Sequence, residues 1–278
     1  MIGQKPAGKS KTARALVTAT RPLWTTGFFA VFYLGLLALL IFLPGASLLD
    51  RLRWLDSGIC AQIPSHSFYP GGERLPLCAR NTGIYLGFIV TLIVLYSTGR
   101  GRAQQLPPWQ MIVVLVSGIV ALAIDGFNSL ALDLGLPHLY EPHNLLRLAT
   151  GLVTGLAMAL LALPILNQLF WREQNQLRNL RSWKNLLVYL AVLMLCFFAV
   201  ASQSIIVLYP LALLSTIGIL IALSSINLIL IIALSRRSGT FEYYRQLLPF
   251  FSLALILALG EMLALAQLKL TLLQSLGM

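Results

Sequence analysis

Residues 109–134 read "WQMIVVLVSGIVALAIDGFNSLALDL". From Trp109 onward no charged side chain appears until Asp125. An α-helix rises about 1.5 Å per residue, so about 20 apolar residues cross a hydrocarbon core of about 30 Å. The stretch therefore reads as a transmembrane helix. Asp125 falls about 24 Å from its Trp109 end. Asn128 and Ser129 follow at i+3 and i+4, so one helix face carries a polar stripe. Charges inside spans are costly, face the protein interior and pair. The expected partners are Arg147 and Arg80, which the topology below places at a similar depth.

Six further segments have the same character: 23–46, 82–98, 146–169, 186–208, 211–234 and 248–272. The break between 186–208 and 211–234 is placed at Tyr209-Pro210, because proline interrupts a helix; a kinked re-entrant pair is the competing reading. The first run is longer than a signal-peptide core of about 7–15 residues and reads as a retained span. Composition agrees. Of 278 residues 58% are hydrophobic and only 10% charged, against roughly 25% charged in soluble domains.

The net charge of +11 comes in short clusters between apolar runs. That pattern orients a membrane protein and argues against a nucleic-acid partner. Fourteen of the twenty Lys and Arg lie in the N-terminal tail and in the connections 99–108, 170–185 and 235–247. The positive-inside rule then puts the N-terminus in the cytoplasm and the C-terminus outside. The expected fold is an all-α polytopic transmembrane bundle of about seven spans. Its parts are a basic cytoplasmic tail (1–22), a four-span core (23–170) with an external Cys-containing loop (47–81), a cytoplasmic interfacial segment (171–185) and a three-span C-terminal bundle (186–278). The tail's Gly8-Lys9-Ser10, with Gly3 five residues upstream, has the spacing of a phosphate-binding loop but no preceding strand, so the tail reads as a disordered basic arm. The segment "WREQNQLRNLRSWKN" reads as an interfacial helix.

The external loop and the span after it, "GICAQIPSHSFYPGGERLPLCARNTGIYLGF" over 58–88, hold two of the three cysteines. The run Cys60, Ile63-Pro64, Ser67-Phe68, Leu75 to Arg80 and Thr82 to Gly87 resembles the prokaryotic membrane-protein family known as domain of unknown function 2085. Asp125-Gly126 and Asn144, Arg147, Thr150-Gly151 and Gly155 agree with it. The resemblance covers roughly 55–160 and brings no activity with it. The family pattern usually has a further Cys where this chain has Asn81, which weakens a thiolate metal site. Cys60 and Cys78 are expected to form a disulfide, which closing a loop of that size would favour by roughly 3 kcal/mol. A metal site from Cys60, His66 and Cys78 is the poorer alternative, because zinc prefers four Cys or His ligands.

The stretches "RNTGIYLG" (80–87) and "RLATGLVTG" (147–155) echo each other. Each sets an Arg shortly before Thr-Gly-x-x-x-Gly at the external start of a span. The glycines let helices approach closely. The arginines, beside helix N-termini, suit a phosphate or carboxylate; contact with lipid headgroups is the plainer reading. The expected ligand site is Arg80, Arg147, His66 and Asp125. Glu261, in "ILALGEMLALA", is an intramembrane carboxyl. Proton-coupled transport and simple packing against Ser224, Ser225 or Asn227 both account for it.

No hydrolase, kinase, dinucleotide-binding or metalloprotease constellation appears, and the sequence names neither a catalytic residue nor a cofactor. Two functions remain open. One is a membrane protein that handles an anionic or lipid-phosphate ligand at its outer face, as carrier or enzyme. The other is a non-catalytic subunit of a larger membrane complex. Membrane lipids and other membrane-protein subunits are the expected partners, and a prokaryotic plasma membrane the expected location.

Overall fold

The computed structural model describes residues 23–275, with side chains from residue 27 onward except Leu40. The expected basic arm at 1–22 lies outside the described residues. Among the described residues, eight α-helices and two 3-10 turns make up the regular structure, and no strand occurs. α1 is Leu23–Phe42, α2 Leu48–Asp56, α3 Ala79–Ser97, α4 Trp109–Asp133, α5 Asn144–Phe170, α6 Trp183–Ala201, α7 Ile205–Leu234 and α8 Tyr244–Ser275. α1 belongs to one compact unit and everything from Gly45 onward to a second. α3 to α8 are long and apolar enough to cross a membrane. α1, of 20 residues without a charge, corresponds to the first expected span.

α3 and α5 are the inner helices. Leu148, Leu152, Leu156 and Leu160 of α5 pack with Leu86 and Leu95 of α3, Leu115 of α4, Leu193 of α6 and Leu208 of α7 in the core. α4, α6 and α8 leave most of their apolar surface outward, where lipid covers it. The closest approach is between α3 and α5. A Cβ added at Gly83 would stand 3.0 Å from the Gly151 Cα, and one at Gly87 3.0 Å from the Leu152 Cα. Side chains at these positions would push the backbones apart, so the echoed glycines are the two halves of one helix crossing.

α2 starts at a capping box: Ser47 Oγ accepts from the Asp50 N–H, and the Asp50 carboxylate accepts from the Ser47 N–H, each at 3.1 Å. Its buried leucines, Leu49, Leu52 and Leu55, lead into the Cys loop. Lys269 of α8 donates to the carbonyls of Ser57, Cys60 and Ala61 at 3.1–3.3 Å and holds the loop down.

Two expectations about the chain path are corrected. The turn after α6 is Ser202–Ser204, not Tyr209-Pro210. Gln203 takes φ 49 and Ser204 caps α7 by accepting from the Ile206 N–H, so this polar triplet ends one helix and starts the next. Pro210 sits inside α7. The two helices are separate elements rather than one kinked run. Second, 171–182 forms no interfacial helix. It runs as irregular chain whose backbone groups are met by buried amides: Gln104 accepts from the Asn175 N–H at 2.7 Å and donates to the Glu173 carbonyl at 3.0 Å. Asn167 ties in the preceding turn through the carbonyls of Gly101 and Ala103. Buried backbone needs such partners, and here side chains supply them in place of a helix.

Candidate functional site

The glycine crossing sets Arg80 and Arg147 near each other at the loop end of α3 and α5. One Arg80 nitrogen, Nη2, donates to Asp125 Oδ2 at 2.6 Å, to the Asp125 carbonyl at 3.1 Å and to Ser129 Oγ at 3.1 Å. Arg147 reaches the same hydroxyl through Nε at 3.3 Å, and its Nη1 donates to Asn144 Oδ1 at 2.7 Å. Ser129 thus accepts from both guanidinium groups. Asp125 is only 1% exposed and Arg147 only 4%. The polar stripe of α4 points inward as its spacing implied.

The rest of the site comes from connections. The Tyr140 hydroxyl donates to Asp125 Oδ1 at 3.1 Å. Asn128 holds that tyrosine's backbone, accepting from the Leu139 N–H at 2.6 Å and donating to the Tyr140 carbonyl at 2.8 Å. Asn144 Nδ2 donates to the Ser65 carbonyl at 3.0 Å, which couples α5 to the Cys loop. His66 follows in that loop and pairs with Asp133 at 3.3 Å. Burial, and then the Arg147 charge, depress the His66 pKa, while Asp133 opposes them. All four expected residues, Arg80, Arg147, Asp125 and His66, therefore gather at one end of α3, α4 and α5.

The charges do not balance evenly. Arg80 has Asp125. Arg147 has no carboxylate within 4.0 Å among the described residues; its partners are a serine and an asparagine. The Arg80 Nε is buried without a partner. A nearly buried guanidinium whose hydrogen-bond partners are neutral, flanked by an unmet N–H and two helix N-termini, favours negative charge.

The cysteines depart from expectation. Cys60 and Cys78 are free thiols, so no disulfide pins the loop. Instead Cys60 Sγ accepts from the Cys78 N–H at 3.3 Å. Hydrogen bonds from the Cys78 thiol, its backbone and the Asn81 side chain pull Cys60 below its ordinary value, to about 6; the same thiol contact and burial push Cys78 up. Asn81, standing where the family pattern has Cys, donates to sulfur instead of offering another thiolate. The metal alternative fails too. His66 faces Asp133 rather than the thiols, and no group of three potential ligands occurs among the described residues.

Beside the thiols lies Asp56, whose role the sequence did not signal. It is fully buried. Its Oδ2 accepts from Thr216 Oγ1 at 2.7 Å, and its Oδ1 has no partner. Desolvation raises its pKa to about 8 against the Thr216 hydrogen bond. Tyr140 and the bridging role of Asn144 were likewise not legible, because each depends on where a loop folds back. Glu261 accepts from Asn227 Nδ2 at 3.2 Å, one of the expected partners, and lies on an exposed side of α8.

A bundle of apolar helices around a buried polar cluster defines a polytopic membrane protein. The model of the family described as predicted membrane protein (DUF2085) matches residues 60–161. An uncharacterized protein of Methanocaldococcus jannaschii is 31% identical over 116 residues, 41% of this chain and 68% of its own. An uncharacterized protein of Methanothermobacter thermautotrophicus is 30% identical over 103 residues, 37% of this chain and 83% of its own. The chain belongs to this family of predicted membrane proteins. No solved structure matches it.

Proposed function

We propose that the protein binds a phosphate-bearing anion, free or as a lipid headgroup, at the outer face of a prokaryotic plasma membrane. The observation that carries this reading is Arg147, a guanidinium only 4% exposed whose hydrogen-bond partners are all neutral. Arg80 with its unmet Nε, and the N-termini of α3 and α5, supply the remaining attraction. Asp125 and Tyr140 hold Arg80 in place. The outer location rests on the distribution of Lys and Arg; the archaeal relatives agree with a prokaryotic membrane.

The test is thermal stabilisation of the detergent-solubilised protein by a water-soluble phosphatidic acid with short chains. The parent protein gains stability, and Arg147→Gln weakens the apparent affinity at least tenfold. Equal response from both proteins overturns the reading. A polypeptide that co-purifies in constant ratio would favour a non-catalytic subunit of a larger complex instead. A reporter fused at the C-terminus is expected to be active outside and one at Arg178 inside; the reverse pattern places the site in the cytoplasm.

A further inference from the structure

At the end away from the Cys loop, α3, α5, α7 and α8 surround a cavity of about 470 Å³, within the roughly 300–1,000 Å³ of small-molecule sites. Its walls are almost wholly apolar, from Phe88 and Leu92 of α3 to Leu163 of α5 and Leu228 of α7. The cavity is long. Its lining runs from Phe88 to Tyr96 on α3 and from Ala159 to Trp171 along α5, about 12 and 18 Å at 1.5 Å per residue. One leaflet of a hydrocarbon core is about 15 Å deep. The lining starts near the middle of both helices and ends with them, so the cavity has the depth of one leaflet.

Its far end is polar. Trp171 and Tyr244 line the cavity, and the Arg102 guanidinium stacks over both rings, 4.0 and 4.5 Å from their centroids. Arg102 Nη2 donates to the Glu242 carbonyl at 3.2 Å. No carboxylate lies within 4.0 Å of Arg102 among the described residues. A stacked guanidinium keeps its edge N–H groups available to a phosphate.

We infer that this cavity holds one hydrocarbon chain of an anionic phospholipid from the leaflet on that side, with the headgroup phosphate at Arg102. The wall chemistry selects a chain, the length selects one leaflet, and the unpaired Arg102 selects an anionic head. The site is separate from Arg80 and Arg147, which lie at the other end of the same helices.

Native mass spectrometry of the delipidated full chain tests this with added phosphatidylglycerol and, in parallel, phosphatidylcholine carrying the same chains. In Arg147→Gln, which removes the outer anion site, the expected result is one retained phosphatidylglycerol per chain, preferred at least tenfold over phosphatidylcholine, and the filled variants and Arg102→Gln are made in that background. Ala162→Phe, which fills the cavity from α5, abolishes retention. Ser225→Phe closes it from α7 and carries the same test if Ala162→Phe does not fold. Arg102→Gln keeps a lipid adduct but loses the headgroup preference. Absence of an adduct on Arg147→Gln, its survival in the filled variants, an unchanged preference in Arg102→Gln, or a second copy of the chain in its place would each overturn the inference. Arg147→Gln leaves this adduct intact, so failure here and failure of the outer anion site are read separately.

Discussion

Toward the Cys loop, α3 and α5 meet backbone to backbone, and the space beyond the contact is filled with hydrogen-bonded charge. Toward the opposite face, the same two helices help wall an apolar cavity of about 470 Å³. The contrast follows from side-chain size. Gly83, Gly87, Gly151 and Gly155 allow contact at one end, while Phe88, Leu92, Leu163 and Leu166 line the hollow at the other. Lipid offers helices little hydrophobic reason to associate, so tight packing and interhelical hydrogen bonds must do it. One end of the pair supplies both, which leaves the other end able to keep a space.

The most damaging way to probe that contrast is to add bulk at each end of α5. Gly151→Leu forces a side chain against the Gly83 Cα, 3.0 Å from where a Cβ would sit. It is expected to abolish a folded, monodisperse species in size-exclusion chromatography. Ala162→Phe, on the same helix but in the cavity wall, is expected to leave the elution profile and melting temperature near those of the parent. Equal damage from both would mean that the two ends are packed alike.

A smaller loss comes from the charge cluster. Asp125→Asn leaves Arg80 without its carboxylate, and breaking a buried pair costs about 3–5 kcal/mol. Arg80 is 22% exposed at its side chain, which places the expected cost toward the lower end. In a double-mutant cycle, Asp125→Asn with Arg80→Gln recovers part of the loss. The cycle with Arg147→Gln shows weaker coupling, because Ser129 stands between Asp125's partner and Arg147. Denaturant unfolding in mixed micelles measures both. Stronger coupling to Arg147 would redraw the cluster.

The spans were legible because roughly 20 apolar residues in a row have few alternatives to crossing a bilayer. The loop-end cluster was legible in outline for a related reason. An Asp inside a span needs a partner, and the echoed Arg-Thr-Gly stretches marked the two helices that bring one. Which arginine pairs with Asp125 was not, since Arg80 and Arg147 hold matching places in the two echoed stretches and only the crossing decides between them. The turn at Ser202–Ser204 was hidden by Pro210, a stronger breaker in sequence that the long α7 absorbs. The thiols looked like a disulfide because spacing cannot show that Cys60 already accepts from the Cys78 N–H. The cavity left no local mark at all, because it is a gap among four helices.

The gentlest probe of the contrast uses pH. The cavity end presents no buried carboxylate in its lining, whereas the loop end holds Asp56, raised by burial from 3.8 to about 8. The folded protein therefore keeps a proton that the unfolded chain releases above about pH 4. Stability attributable to Asp56 is complete below that value, falls as pH rises toward about 8, and levels off above it. One proton sets the slope at no more than about 1.4 kcal/mol per pH unit. Asp56→Asn carries no ionisable group but still offers Thr216 an acceptor, so it removes the slope. Melting temperatures of the two proteins in the same detergent from about pH 5 to 9 should diverge with rising pH, the variant becoming relatively more stable. Parallel curves would mean that Asp56 ionises in the fold, with water or a cation reaching its second oxygen, and the loop end would then be wetter than its burial indicates.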